Sequence, residues 1–346
     1  MKRKFLSLYL VYVAVVLEIG SRLIYRADVL FKGIDEVTCR RAWIQRHDAQ
    51  IEIYYGFDRY DPTKGWAIKP NLSGLEVFDH KHLTTNSRGI RGPEYSYDKP
   101  LGKKRILVLG DSFTFGDEIG DEETYPYFLQ KLMPATDVIN LGVHGYGHDQ
   151  MLIHFEEEGA KYHPDIVLLG FIGNDMPRNR LAFRDYAKPR FELSPGGLKL
   201  TNQPVPPPES VLADDRFRSR FLDLIVLLRH KLVLRYSPSV EQEKTDRLTA
   251  AILDELAAAV QHAGAKLILV QLPDAPDFAA QSPTNTFFDR YCASTAVTCI
   301  SLYAFAQSEI AKGRPLVFEQ YGHLSADGNR MVAEGIRDNL VESGFF

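Results

Sequence analysis

Apolar positions fall into two regimes along this chain. From about residue 105 onward, short unbroken apolar runs alternate with longer stretches in which apolar residues recur at helical spacing. The runs predict strands over 105–110, 137–141, 165–172 and 266–272, with a fifth near 298–302. The periodic stretches predict helices over 124–133, 148–162, 242–263 and 325–342. Alternation of this kind implies an α/β fold, a parallel sheet with helices on both faces.

The second regime is the N-terminus. Lys2-Arg3-Lys4 precedes an apolar run from Phe5 to Leu17 that only Ser7 interrupts, and Glu18, Ile19, Gly20, Ser21 and Arg22 follow. A basic start with an apolar core is an export pattern, and extension to Tyr25 reaches the ~20 residues a membrane span needs. Glu18 and Arg22 stand four apart on one helical face, where they can pair. With no small-x-small cleavage site after the core, residues 1–26 are expected to form an uncleaved signal anchor, a transmembrane helix in the inner membrane. The excess of cations before the run places the remainder on the periplasmic side, although Arg22, Arg26 and Lys32 reduce the asymmetry.

Residues 27–100 are mixed, with aromatic residues at Tyr54, Tyr55, Phe57 and Tyr60, and are expected to be a juxtamembrane and lead-in segment with short strands. Residues 101–346 are expected to form the main domain, interrupted by an insertion at about 178–241. That insertion is longer than a simple connection requires. It carries the stiff stretch Gln203-Pro204-Val205-Pro206-Pro207-Pro208. From Phe217 to Leu234 it then reads as one or two amphipathic helices, which core packing explains more often than contact with the anchor or the membrane.

Composition narrows the classes. With 346 residues, 45% of them hydrophobic and 25% charged, the chain can bury one sizeable core. A net charge of −4 argues against a nucleic-acid surface. Of the three cysteines, Cys292 and Cys299 are close enough to bridge in an oxidising compartment, and two free buried thiols fit equally well.

The candidate chemistry begins at Gly110-Asp111-Ser112-Phe113-Thr114-Phe115-Gly116, directly after an apolar run. A serine where a strand breaks into a turn can hold its hydroxyl clear of the sheet, as an activated nucleophile requires, or can simply cap a helix. Asn140-Leu141-Gly142 and Gly173-Asn174-Asp175 follow two further runs, and His323 stands just before a helix start. The ends of parallel strands line one crevice where ligands bind. Ser, Gly, Asn and His in this order, from about Arg105 to Gly344, resemble the four motif blocks of the SGNH (GDSL-type) hydrolase superfamily of esterases and lipases.

That resemblance implies a three-layer, flavodoxin-like fold and cofactor-free ester hydrolysis through an acyl-enzyme. Ser112 would be the nucleophile and His323 its base. The oxyanion would be held by the backbone amides of Ser112 and Gly142 and by the side chain of Asn174. One position departs from the pattern. The family usually places an aspartate three residues before the histidine, whereas this chain has Gln320, with Glu319 beside it. Glu319 is therefore the expected acid, reached through a shifted turn, and a Ser-His dyad is the alternative. His144 and His148, with Asp149 alongside, invite a metal reading, but Gly145 and Gly147 break the helix it would need, so no metal site is expected. His144 is expected to line the substrate crevice, and Asp111 and Asp175 to brace their loops. The expected function is removal of O-acyl groups, acetyl among them, from a carbohydrate or lipid. The alternatives are an O-acyltransferase using the same acyl-enzyme, and a non-catalytic polysaccharide-binding or assembly subunit.

Overall fold

The computed structural model describes residues 2–27, 30–46, 53, 55–78, 80–273, 283–314 and 316–345, so Tyr54 lies outside the described residues. The chain opens with two helices, α1 (Lys2–Arg26) and α2 (Glu36–Arg46), and two antiparallel hairpins. The hairpins are β1 (Asp58–Asp61) with β2 (Gly65–Ile68) and β3 (Leu75–Val77) with β4 (Lys81–Leu83). Strand β5 (Lys104–Leu109), the short helix α3 (Ser112–Phe115), α4 (Tyr125–Leu132), β6 (Thr136–Asn140), α5 (His148–Glu157), β7 (Ile166–Phe171) and α6 (Asp175–Arg178) come next. The insertion contributes a hairpin, β8 (Arg190–Ser194) and β9 (Gly197–Thr201), then α7 (Pro208–Phe217) and α8 (Arg220–Tyr236). The chain closes with α9 (Pro238–His262), β10 (Lys266–Gln271), α10 (Pro283–Ser294), β11 (Thr298–Ser301), α11 (Tyr303–Ala311) and α12 (Ala326–Glu342).

Five strands form one parallel sheet in the order β11-β10-β7-β5-β6. The order reverses direction beside β5, which is the doubly-wound pattern whose crevice opens past the strand ends at that reversal. The strands read as continuous apolar runs because both of their faces are covered. Leu107, Leu109, Val167, Leu169, Leu267 and Leu269 pack on one side with Met151 and Leu152 of α5 and Ile252 and Leu256 of α9. Ile106, Val108, Leu168, Ile268 and Val270 pack on the other with Leu129 of α4 and Val332 and Ile336 of α12. The chain therefore has the three-layer α/β architecture that the alternating pattern predicts, and the five strands and four helices fall close to their expected spans.

The lead-in hairpins join the first of these cores. Trp66 is fully buried, its indole N–H donates to the His144 carbonyl at 3.0 Å, and Tyr146 returns a hydrogen bond to the Trp66 carbonyl at 2.6 Å. Cys292 and Cys299 are joined as a disulfide, and Cys39 is free.

Helix α1 is long and apolar enough to cross a membrane over Phe5–Arg26, 22 residues. Glu18 and Arg22 pair at 2.9 Å, as their spacing predicts. The Glu18 carboxylate also reaches the start of α8, accepting from the Ser219 hydroxyl at 2.8 Å and from the backbone N–H groups of Arg220 and Phe221 at 3.1 and 3.2 Å. A carboxylate there satisfies orphan amides at the positive end of the helix dipole. Part of the insertion thus packs on α1, rather than serving only to cover the core.

Candidate active site

Strand β5 ends at Leu109, and Gly110-Asp111 turn the chain into α3, so Ser112 is the first residue of that helix, just past the strand end. Asp111 caps this helix by accepting the Phe113 N–H at 3.0 Å. The cap role raised for the serine in the sequence is therefore filled by its neighbour, and the Ser112 hydroxyl is released for other work. Gly116 ends the helix in the left-handed conformation at φ +91, and the chain folds straight back toward the strand end. Two residues on, Glu118 also adopts a left-handed conformation, φ +67, which side chains other than glycine rarely accept. Such a backbone persists where its surroundings impose it, and it is concentrated at functional sites.

The reason lies across the crevice. Loop 316–325 brings His323 to both residues: its Nε2 stands 2.9 Å from Ser112 Oγ and its Nδ1 stands 2.6 Å from Glu118 Oε2. Glu118 also accepts the backbone N–H groups of Tyr321 at 2.8 Å and His323 at 3.2 Å, so a single carboxylate fixes both the ring and the turn that carries it. With a carboxylate on Nδ1, the imidazole holds its proton there and leaves Nε2 to accept from the serine hydroxyl. This arrangement can deprotonate the serine and stabilise the imidazolium that results.

The acid at Nδ1 is thus Glu118 and not Glu319, as the pattern before the histidine had suggested. Glu319 donates its backbone N–H to the His323 carbonyl at 2.7 Å, closing the turn, while the ring's partner comes from 205 residues earlier in sequence. Glu118 carried a signal that sequence reasoning passed over. Gly116-Asp117-Glu118 follows the serine within six residues, and a glycine-ended single helical turn returns the chain to where it started.

Gly142 differs from expectation in a second way. Its N–H donates to Asn140 Oδ1 at 2.9 Å, and Asn140 Nδ2 in turn donates to the Thr114 carbonyl at 2.9 Å. Glycine is needed there for close approach, since a Cβ would fall 2.4 Å from the Phe115 nitrogen. Gly142 therefore packs the second loop against α3, and its amide is already committed. In the same loop Gly145, at φ +74, and at the nucleophile Ser112 itself, the backbone N–H groups meet no protein acceptor among the described residues. Asn174 follows β7 as the N-cap position of α6, is exposed, and spends none of its side chain on a capping bond.

His144 is not a crevice residue. It is 1% exposed, its Nε2 meets Asp58 Oδ1 at 2.7 Å, and its ring packs between Tyr55 and Phe57 of the lead-in segment and Phe115 of α3. Burial alone lowers its pKa, but the carboxylates of Asp58, Asp117 and Asp185 together outweigh burial and the net direction is upward. His144 is a clamp between the lead-in segment and the core. His148 is buried as well, stacked on Phe171, and burial holds its pKa down at about 3.

The buried acids brace the loops, as expected of Asp111 and Asp175. The Arg178 guanidinium stands between them, 3.0 Å from Asp111 Oδ2 and 2.6 Å from Asp175 Oδ1, and also donates to the Tyr146 carbonyl at 2.9 Å. One cation thereby ties together the three loops that carry Ser112, Gly145 and Asn174. Burial, with the neighbouring Asp111 charge, pushes the Asp175 pKa well up. A second buried cation was not foreseen at all. Arg91, from the lead-in segment, donates to the carbonyls of Phe115 at 2.9 Å, Gly116 at 2.6 Å and Ile119 at 2.7 Å, and pairs with Asp121 at 2.9 Å. These carbonyls enclose Glu118.

Fold and site together define an ester-hydrolysing enzyme of the three-layer α/β kind. Residues 108–331 match the model of the GDSL-like lipase/acylhydrolase family, and the chain belongs to that family. No curated protein matches the chain in sequence. Among solved structures, it is similar to the psychrotrophic esterase EstA from Pseudoalteromonas sp. at 14% identity and a TM-score of 0.41, covering 70% of this chain and 100% of that one. A lipolytic protein of the G-D-S-L family from Veillonella parvula aligns at 13% identity and a TM-score of 0.42, covering 68% of this chain and 97% of that one. The acetyl xylan esterase AlAXEase aligns at 14% identity and a TM-score of 0.40, over 68% and 99% of the respective chains.

Two predictions follow from the buried charges around the serine turn. Arg91→Met leaves three carbonyls without their donor and Asp121 without its cation, at a cost of about 3 kcal/mol. Chemical denaturation reads this directly, and an unchanged midpoint would refute the bracing role. The second concerns Asp117, whose carboxyl is buried with Oδ1 unpartnered. Burial, reinforced by Asp111 and opposed by His144 and His323, raises its pKa to about 6. A raised carboxyl pKa means the folded state binds the proton more tightly than the unfolded one, so this contribution is intact below about pH 4 and is lost as pH rises through 6. Asp117→Asn should therefore match wild type near pH 4 and gain about 3 kcal/mol above pH 7. Equal stability of the two proteins at pH 7.5 would count against the raised carboxyl.

Proposed function

We propose that this enzyme removes O-acyl groups, acetyl in particular, from a carbohydrate or lipid by a Ser112–His323–Glu118 acyl-enzyme mechanism. The observation that carries the reading is the unbroken relay from Ser112 Oγ through His323 to the Glu118 carboxylate, at 2.9 and 2.6 Å. Ser112 Oγ attacks the ester carbonyl as its proton passes to Nε2, and the negative charge develops on the carbonyl oxygen. Oxyanion donors aimed at that oxygen give the largest single stabilisation. The open backbone N–H groups of Ser112 and Gly145 and the uncommitted amide of Asn174 fill that role, and Gly142 supports them from behind. Collapse of the intermediate breaks the ester C–O bond, and the departing alkoxide takes the proton from Nε2. Water then attacks the acyl-enzyme, giving its proton to His323, and the carboxylic acid leaves as Ser112 recovers its own. Glu118 stays ionised throughout and holds the imidazolium.

Turnover of p-nitrophenyl acetate tests this. Ser112→Ala should abolish it in a folded protein. Glu118→Gln should lower kcat by ~10³–10⁴, whereas Glu319→Gln should leave it near wild type. A large loss at Glu319 with none at Glu118 would reverse the assignment of the acid.

We further infer that α1 anchors the enzyme in the inner membrane with the catalytic domain on the periplasmic side. Lys2-Arg3-Lys4 before the apolar stretch, the 22-residue length of that stretch and the Cys292–Cys299 disulfide all support it, since disulfides persist in oxidising compartments. Protease added outside spheroplasts should digest the domain, and full protection would place it in the cytoplasm.

A further inference from the structure

The face of α8 turned away from the protein is apolar. Leu222, Ile225, Leu228, Leu232 and Tyr236 are exposed, and at 100° per residue they fall within one stripe about 120° wide in which Arg229 is the one charged residue. Arg220, Asp223, Leu224 and Leu227 occupy the opposite, buried side. Soluble surfaces scatter single apolar residues, but a stripe running the length of a 17-residue helix marks contact with something outside the protein. The end of α7, just before it, adds Phe217, at 91% exposure.

Three features say what covers the stripe. The first is position. Glu18 holds the first turn of α8 beside α1, eight residues before α1 ends at Arg26. Eight residues of helix are ~12 Å, so if Phe5–Arg26 spans a bilayer, α8 starts against the span itself, inside the acyl-chain region and below the headgroups at the end of α1. The second is charge. No acidic residue occurs from Leu224 to Val240, while Arg229, His230, Lys231 and Arg235 do, and Arg229 and Arg235 have no acidic partner among the described residues. Apolar residues with interspersed cations and no acids suit a phospholipid surface. The third is shape. A groove of about 660 Å³ runs between α1 and the start of α8, lined by Leu10, Leu17, Phe217 and Phe221, and it is open along its length to whatever surrounds α1.

We propose that α8 is a membrane-contacting helix, its Leu222–Tyr236 stripe turned to the bilayer that α1 enters and its arginines on lipid phosphates. This rests on the reading of α1 as an anchor. It adds that the domain is held at the surface by two elements locked at Glu18, which fixes the domain's orientation and keeps the active site at a set height instead of letting it swing on a single tether.

Tryptophan quenching separates the two claims. Trp43 and Trp66 are fully buried and so give a protected background. Full-length Leu232→Trp and Val13→Trp proteins, reconstituted into vesicles of phosphatidylcholine and phosphatidylglycerol, are compared with and without bromine on the acyl chains. The ester-hydrolysis rate verifies that each variant is folded. Quenching at both positions is the expected result, with the added emission at Leu232→Trp falling about twofold, as for a side chain in contact with acyl chains. Quenching at Val13→Trp alone overturns the α8 proposal and leaves the anchor standing. Quenching at Leu232→Trp alone removes the anchor, and with it the two-element attachment proposed here. Absence of quenching at Leu232→Trp, together with disulfide cross-linking between copies of a Leu232→Cys variant, would assign the stripe to a second copy of this chain and overturn the proposal.

Discussion

The site depends on one short turn. Ser112 and Glu118 must both face His323, yet only five residues separate them, and one of the two has to sit in a left-handed backbone that costs on the order of 1 kcal/mol or more. The turn holds because its carbonyls at Phe115, Gly116 and Ile119 all converge on the buried Arg91 guanidinium. Those acceptors would otherwise be buried without donors, so the turn and the arginine stabilise each other. Glu118 then imposes order on the facing loop, through the amides of Tyr321 and His323 as well as through the ring. A positive centre supplied by the lead-in segment thus fixes the nucleophile's turn, and the nucleophile's turn fixes the base.

This chain of dependence explains why the aspartate usual for the family is dispensable here. A carboxylate three residues before the histidine would orient the ring from the histidine's own loop. Here the same task is done from the serine's loop, so one rigid element presents both partners of the imidazole and the histidine loop need only close over them. Position 320 is then free of any charge requirement, and its glutamine is exposed. Glu319 retains a purely backbone part in that closure, its N–H on the His323 carbonyl.

Much of this was legible in the sequence, and the failures share a cause. The five strands were readable because a sheet buried on both faces leaves unbroken apolar runs. Ser112 and Asn174 could be placed just past strand ends because their motifs follow directly on such runs, and His323 could be placed before a helix start. Glu118, Arg91 and the Asp58–His144 pair were not readable, because each acts through a partner far away in sequence, and spacing along the chain carries no information about such a partner. His144 illustrates the trap most plainly. Two residues from Gly142 it looked like a crevice residue, but its carboxylate lies 86 residues upstream and its aromatic neighbours belong to the lead-in segment. Gly142 misled for a related reason: the demand for glycine was real, but it came from the backbone of α3 and not from a ligand.

The same reasoning recasts the lead-in segment and the insertion. Either could be taken for decoration on a hydrolase core. Yet Arg91 and Asp58, both from the lead-in segment, hold the serine turn and the loop that carries Gly145, and Trp66 buries itself against that loop. The insertion carries α8, which Glu18 binds to α1. Arg91 follows α2 and both lead-in hairpins, and α8 comes from the insertion, so separate stretches of chain set the catalytic geometry and meet the N-terminal helix. An enzyme built this way cannot be trimmed to its sheet and helices without loosening the turn that makes it an enzyme. Through Arg91 the lead-in segment fixes the turn that carries Ser112 and Glu118, and through Glu118 that turn fixes His323.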